Sequence, residues 1–258
     1  MNVIGIIPAR MDSTRFPGKP LVKINGMPMV GHCYWRTAMA LGEANTFVAT
    51  CDIEIFNYIS GIGGQAVMTG SGHVRATTRT AEALEIIERK SGSKFDLVLM
   101  IQGDEPLINP EVITSMVSSF EDCSVDIVNI MSRISELNAF EDKNNVKVVI
   151  DGNSNALYFS RQPIPSPWHG FNDIPAYMQT GIIGFRRQTL LSFNASKGTV
   201  LEEIESVDMN RVLENGGSIR MVLMDGKTVG VDVPSDLQQA EILMKNDPIV
   251  TSYCTIHD

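Results

Sequence analysis

Apolar residues in the first part of the chain fall into short runs without polar alternation, rich in β-branched side chains. They lie at Asn2–Ile7, Thr46–Thr50, Gln65–Thr69 and Asp96–Ile101. Runs of this kind predict strands buried on both faces. Between them the spacing turns helical. Pro28 suits the first turn of a helix reaching about Gly42, and a second helix is predicted from Ile53 to Ile62. A third, from Thr78 to Lys90, places Ala81, Ala83, Leu84 and Ile87 on one face. Asn109 is set to cap a further helix with Pro110 at its first position. Leu21–Ile24 reads as an edge strand, followed by an Asn25-Gly26 turn. This alternation predicts an α/β fold, with a mostly parallel Rossmann-like nucleotide-binding sheet flanked by helices.

Beyond about residue 125 the pattern changes. Strand-like runs at 126–131, 146–150, 156–159 and 180–185 follow with less helix between them. They predict a smaller subdomain, about 126–185, grown onto the same sheet within a single domain of residues 1–245. Residues 246–258 form a tail too short to be a domain. Gln162–Gly170 contains Pro163, Pro165 and Pro167 and reads as an extended surface loop.

The length of 258 residues accommodates one large domain or two modest ones. The net charge of −9 argues against nucleic acid and anionic membranes as partners. No apolar run approaches the roughly 18 residues of a membrane span, and the N-terminus lacks signal-peptide features. Cys33, Cys51, Cys123 and Cys254 form no C-x-x-C pair. Reduced thiols and a cytoplasmic location are therefore the expectation, with no structural zinc.

Candidate chemistry begins where the first run stops at Pro8. Arg10, Arg15 and Lys19 lie in a loop whose geometry is fixed by Pro17, Gly18 and Pro20. In open α/β sheets, ligands sit beyond the carboxyl ends of strands. Cations in that position suit a polyphosphate, with guanidinium forks matching phosphate oxygens and an ammonium supplying a point charge. Two acids also close apolar runs. Asp104 follows Leu97–Gly103, and Asp232 follows a run that starts at Arg220 and resumes at Val229. Carboxylates at strand ends beside a cationic loop are where magnesium would bridge protein and triphosphate. Asp232 has a second reading, as the N-terminal cap of a helix opening at Pro234. Arg161 reads on its own as a surface arginine beside the proline loop.

Pro8-Ala-Arg10, Ser13-Thr-Arg15-Phe-Pro-Gly-Lys-Pro20, Gln102-Gly-Asp104-Glu-Pro106, Tyr158-Phe-Ser-Arg161-x-Pro-Ile-Pro165 and Val231-Asp232-x-Pro-x-Asp236 occur in this order. Together they resemble the 3-deoxy-manno-octulosonate (Kdo) cytidylyltransferases, over nearly the whole chain to about Ala240. The resemblance implies transfer of CMP from CTP to the anomeric 2-hydroxyl of a 3-deoxy-2-ulosonic acid, with release of pyrophosphate. It implies that Pro8, Ala9, Arg10, Arg15, Lys19 and Gln102 bind the nucleotide, and that Asp104 and Asp232 hold Mg2+. Arg10, Lys19, Asp104 and Asp232 become the catalytic set, and Arg161 faces the sugar carboxylate. The inserted subdomain becomes sugar-binding and dimerising, in a homodimer serving lipopolysaccharide or capsule biosynthesis.

The chain also departs from that family. A His-x-Ser-Gly-Thr-Asp/Glu-Arg pattern is replaced by His73-Val-Arg75-Ala-Thr-Thr-Arg79, and we assign Arg75 and Arg79 to nucleotide binding. The aspartate expected after Val-Ala-Thr is Cys51, with Asp52 next. A His-x-Gly-x-Tyr pattern reads Gln179-Thr-Gly-Ile-Ile183, and a Glu-Gln pair reads Asp208-Met209. Gln179, Ile183, Asp208 and Met209 are therefore assigned to the sugar pocket, where an apolar wall replaces hydrogen-bonding groups. Such a change should alter substrate preference, so the acceptor is either Kdo or a modified Kdo-like sugar. Two alternatives remain: a nucleotidyltransferase for another sugar or sugar 1-phosphate, and a non-catalytic nucleotide-binding paralogue.

Overall fold

The computed structural model describes residues 1–12, 15–172, 174–224 and 230–254. Ser13, Thr14 and Val229 of the sequence motifs lie outside them. In chain order the elements begin with β1 (Val3–Pro8), β2 (Lys23–Ile24), β3 (Met27–Pro28), α1 (Met29–Leu41), β4 (Thr46–Thr50), α2 (Ile53–Gly61), β5 (Gln65–Met68), α3 (Ala76–Ser91), β6 (Leu97–Ile101) and α4 (Pro110–Ser118). There follow β7 (Ile127–Arg133), α5 (Leu137–Glu141), β8 (Lys147–Ile150), β9 (Ala156–Ser160), β10 (Tyr177–Arg186), α6 (Arg187–Ala195), α7 (Val200–Glu205) and α8 (Met209–Glu214). The series ends with β11 (Arg220–Leu223), α9 (Pro234–Met244) and α10 (Pro248–Cys254). Two compact units result, one of Met1–Ser115 with Thr228–Asp258 and the other of Met116–Lys227.

The first unit carries the expected parallel sheet, in the order β6-β1-β4-β5. Gly5 of β1 pairs with Thr46 of β4 on one side and with Leu99 of β6 on the other. All of β6 is buried, which explains its unbroken apolar sequence. The winding runs outward from β1 to β4 and β5, then returns to place β6 on the opposite side of β1. The β1/β6 junction is thus the point where the strand order reverses, and the crevice beyond it is where such sheets bind ligands. Gly5 allows α1 to lie close on β1. A Cβ there would come 2.7 Å from Thr37 Cγ2 and 2.8 Å from Leu41 Cδ1.

Several local expectations shift by a few residues. The proposed edge strand at Leu21–Ile24 is a 3-10 turn over Lys19–Leu21 followed by the two-residue β2. β2 pairs with β3 around Asn25 and Gly26, which have φ of 47° and 92° and so form the tight hairpin turn that positive-φ residues permit. Pro28 precedes α1 instead of lying inside its first turn. Asn109 does cap α4, its Oδ1 accepting the Glu111 amide at 2.9 Å.

The second unit is mixed. β7 is antiparallel to β10 and parallel to β11, while β8 is antiparallel to both β9 and β10. β10 begins at Tyr177, earlier than the run at 180–185 suggests. A bulge between Gln179 and Ile183 shifts the register there and disrupts the side-chain alternation. The Asn129 amide nitrogen secures this bulge by donating to the carbonyls of Thr180 at 3.2 Å and Ile182 at 2.9 Å.

Candidate functional site

The loop after β1 is built on backbone contacts that leave its cations at one end of the sheet. Gly18, at φ 73°, starts the 3-10 turn, and its amide donates to Met11 O at 3.0 Å. The Met11 amide in turn donates to the Asp52 carboxylate at 2.8 Å. Asp52, the residue next to the Cys51 departure, therefore holds the cationic loop against the start of α2. The loop after β6 closes tightly on β1. A Cβ on Gly103 would lie 3.2 Å from both Pro8 O and Ala9 Cβ, so this approach favours glycine.

Four of the expected residues converge here. Lys19 Nζ donates to Asp104 Oδ2 at 2.8 Å and to Asp232 Oδ1 at 3.1 Å. Arg15 donates to the same Asp232 oxygen at 3.0 Å. The Val231 amide donates to Asp104 O at 2.9 Å, which fixes the two acid-bearing segments against one another. Lys19 is buried, and burial alone would lower its pKa, but the charges of Asp104 and Asp232 outweigh that and raise it. It is a permanent cation between two carboxylates.

The cap reading of Asp232 is corrected. Asp236, one turn into α9, accepts the amides of both Asp232 and Val233 at 2.9 Å. The Asp232 carboxylate faces Lys19 and Arg15.

Other assigned residues are placed differently. Arg10 is exposed, and its guanidinium donates to His73 O at 3.2 Å. His73 itself contacts Glu82 and Thr78, which braces the β5–α3 loop around Arg75. Arg79 is buried and donates to Thr69 Oγ1 at 2.6 Å and to Gly70 O at 3.3 Å. Gln102 and Arg75 are half-buried.

In the second unit, Arg161 is bound up with its own surroundings. Its side chain donates to Glu205 O at 2.7 Å and Lys143 O at 2.8 Å, while its amide donates to Glu205 Oε2 at 2.8 Å. Glu205 also accepts Tyr158 O–H at 3.1 Å and Ser160 O–H at 2.7 Å. Burial would raise the Glu205 pKa, but these donors and the Arg161 charge lower it. Lys147 is fully buried and donates to the carbonyls of Asp142, Asn145 and Arg161 at 2.8, 2.6 and 2.8 Å. Gln179 and Asp208 are half-buried, whereas Ile183 and Met209 are 1% and 0% exposed. Glu205, Lys147 and Asn129 carried no signal in the sequence, because each meets partners that only the fold brings to it. Glu205 accepts donors from residues 158–161, Lys147 donates to Arg161 O as well as to nearby carbonyls, and Asn129 donates to carbonyls of β10.

The strand-order reversal and the acid–lysine cluster beyond it define a nucleotidyltransferase-type α/β protein, and a family model described as cytidylyltransferase matches residues 4–221. More specifically, the chain belongs to the 3-deoxy-manno-octulosonate cytidylyltransferase family. It is 38% identical over 251 residues to the 3-deoxy-manno-octulosonate cytidylyltransferase of Syntrophobacter fumaroxidans, covering 96% of this chain and 99% of that one. It is also 39% identical over 249 residues to the 8-amino-3,8-dideoxy-manno-octulosonate cytidylyltransferase of Shewanella pealeana, covering 96% and 100%. The solved structure of a CMP:2-keto-3-deoxy-manno-octonic acid synthetase complexed with CTP matches with a TM-score of 0.84 at 32% identity, over 95% of this chain and 99% of that one.

Proposed function

We propose that this chain transfers CMP from CTP to the anomeric 2-hydroxyl of a 3-deoxy-2-ulosonic acid. The observation that carries this reading is the convergence of Lys19 and Arg15 on Asp104 and Asp232 beyond the strand-order reversal. In the reaction, the sugar hydroxyl oxygen forms a bond to the α-phosphorus. The bond from that phosphorus to the bridging oxygen breaks, pyrophosphate leaves with the electron pair, and the hydroxyl proton is released. Such a transfer needs positioning and charge neutralisation more than a covalent nucleophile. Lys19, Arg10 and Arg15 supply cations for the triphosphate. Gln102 and the Pro8–Ala9 backbone border the nucleotide, with Arg75 beside them. Arg79 supports that region from within.

The residues present fit Mg2+. Two carboxylates within 3.1 Å of one Lys19 nitrogen present hard oxygen donors to a common point. Magnesium binds through one or two carboxylates plus substrate phosphates. Among the described residues no cluster of three or more His, Cys, Asp or Glu offers a self-contained metal site. Asp104 and Asp232 would hold the ion, which when bound neutralises charge on the triphosphate.

On the acceptor side, we assign Arg161, Gln179 and Asp208 to the sugar acid, with Ile183 and Met209 shaping that region from beneath. The relatives' names favour Kdo and its 8-amino-8-deoxy analogue as the two acceptors to compare. One nucleotidyltransferase domain over residues 1–245, a homodimer and a cytoplasmic location complete the proposal. Among the described residues no helix is long and apolar enough to cross a membrane.

The test is pyrophosphate release with each of four nucleoside triphosphates, with magnesium and either sugar acid. CTP should be preferred, and one of the two acids should turn over. Preference for UTP or GTP rejects the assignment, and so does pyrophosphate release independent of any ulosonic acid.

A further inference from the structure

The C-terminal helix α10 lies beyond the residues matched by the family model, yet it reaches the supports of the acid–lysine cluster. His32 Nε2 lies 2.9 Å from Ile24 O, a carbonyl that can only accept, so this nitrogen carries the proton. His32 Nδ1 is then an acceptor, and Tyr253 O–H donates to it at 2.7 Å. The Tyr253 oxygen accepts Arg36 Nε–H at 3.3 Å. Arg36 donates from a terminal nitrogen to Ile108 O at 3.2 Å, and its other terminal nitrogen pairs with Asp247. His32, Arg36 and Tyr253 are 0%, 1% and 2% exposed.

The two carbonyls at the ends of this chain belong to the segments that carry the site. Ile24 closes the segment that begins with the Lys19 turn, and Ile108 closes the loop that begins with Asp104. The same region holds an apolar cluster of Ile24, Met29, Val231, Ala240 and Met244, against which Phe16, Leu107 and Val250 pack. Residues of α9 and α10 thus pack with residues flanking Lys19, Asp104 and Asp232.

We infer that Tyr253 is a positioning residue for the transfer reaction, its hydroxyl joining the Lys19 segment and the Asp104 loop through His32 and Arg36. This rests on the cytidylyltransferase reading of the site. Loss of the hydroxyl leaves His32 Nδ1 and Arg36 Nε without that shared partner, in surroundings that water does not reach. The two segments are then less firmly held at the spacing that brings Lys19 onto Asp104.

The test compares full-length wild type with Tyr253→Phe and with Ser252→Ala, an exposed neighbour whose hydroxyl donates to Ile249 O within α10 and lies 3.6 Å from Sδ of the exposed Met39, away from both site-bearing segments. Hydrogen exchange is followed at residues 19–24 and 104–108. In parallel, kcat, KM for the sugar acid and the magnesium concentration giving half-maximal rate are measured well below the unfolding temperature. Tyr253→Phe should quicken exchange in both stretches, lower kcat roughly ten-fold and raise the magnesium requirement. KM for the sugar acid should stay unchanged, and Ser252→Ala should match wild type. Should Tyr253→Phe not fold, Asp247→Asn, which loosens Arg36 from a partly exposed position, should move the same quantities by a smaller amount. Quickened exchange confined to α10 with kcat preserved would overturn the inference, as would no change in either stretch. Absence of CTP-dependent pyrophosphate release in wild type would reject the functional reading instead, and exchange at the two stretches would then decide the role of Tyr253 alone.

Discussion

Lys19 Nζ lies 2.8 Å from Asp104 Oδ2, joining the loop after the first strand of the parallel sheet to the loop after its neighbour. The pair is made of residues far apart in sequence and buried enough that solvent screens it weakly. Replacing Lys19 by Met should lower turnover roughly 10²- to 10³-fold, the scale seen when one preorganised charge partner is lost. Circular dichroism should show the fold intact. Asp104→Asn should also abolish metal-dependent turnover, checked by titrating magnesium back into chelator-treated protein.

Asp236 holds the amides of Asp232 and Val233, so it sets the direction of the Asp232 carboxylate. Asp236→Ala should cost about 1 kcal/mol of stability, as for loss of a helix cap. Because Asp232 is left less constrained, the magnesium requirement should rise as well. Denaturant unfolding and metal-dependent rates check the two effects separately.

The His32 imidazole is buried, and that burial outweighs the Ile24 hydrogen bond to bring its pKa down to about 4. The unfolded chain binds this proton near the usual value of about 6.5, and the folded chain only near 4. The unfolded state therefore carries more protons between those values. The stabilisation is complete above about 6.5 and is lost as pH falls toward 4, amounting to about 3 kcal/mol over the window. Urea midpoints at successive pH values should show that slope, and His32→Gln should flatten it.

Asn129 supports the bulge of β10 through donors to Thr180 O and Ile182 O. Asn129→Leu removes those donors from buried carbonyls and should destabilise by about 3 kcal/mol, measured by denaturant unfolding. If Gln179 and Ile183 shape acceptor choice, the same variant should shift the ratio of rates for the two sugar acids.

Lys147 gives its three protons to carbonyls of Asp142, Asn145 and Arg161. Burial lowers its pKa despite the nearby Asp142 charge. Lys147→Met should cost about 3 kcal/mol through unsatisfied carbonyls. With Arg161 less firmly placed, KM for the sugar acid should rise more than KM for CTP.

The parallel half of the fold was readable because β1, β4 and β6 are covered on both faces and so spell continuous apolar runs. That Lys19 and Asp104 lie in the segments beyond two such runs was also within reach, whereas their direct ion pair, between groups read as triphosphate and magnesium contacts, was not. The role of Asp232 was not readable from its neighbours alone. Val231-Asp-Val-Pro-Ser-Asp236 offers two acids to one helix start, and only the folded backbone shows that Asp236 takes the amides. β10 was misjudged in length because its bulge breaks the period of two. The His32–Tyr253 contact left no trace, since it depends on one imidazole and one hydroxyl more than 200 positions apart (|i−j| = 221).

The first unit is discontinuous, made of Met1–Ser115 and Thr228–Asp258, with the second unit wholly between them. Synthesis on the ribosome therefore finishes the second unit before the first can close. A nascent chain stopped near residue 227 holds Lys19 and Asp104 but not Asp232. It also leaves Ile24 and Met29 without the cover of Ala240 and Met244. Until its last segment emerges, the growing polypeptide presents an uncovered apolar surface and an incomplete charge cluster. Messages truncated before the Thr228–Asp258 segment should accordingly yield products prone to aggregation and degradation, although all of the second unit and most of the first have been made.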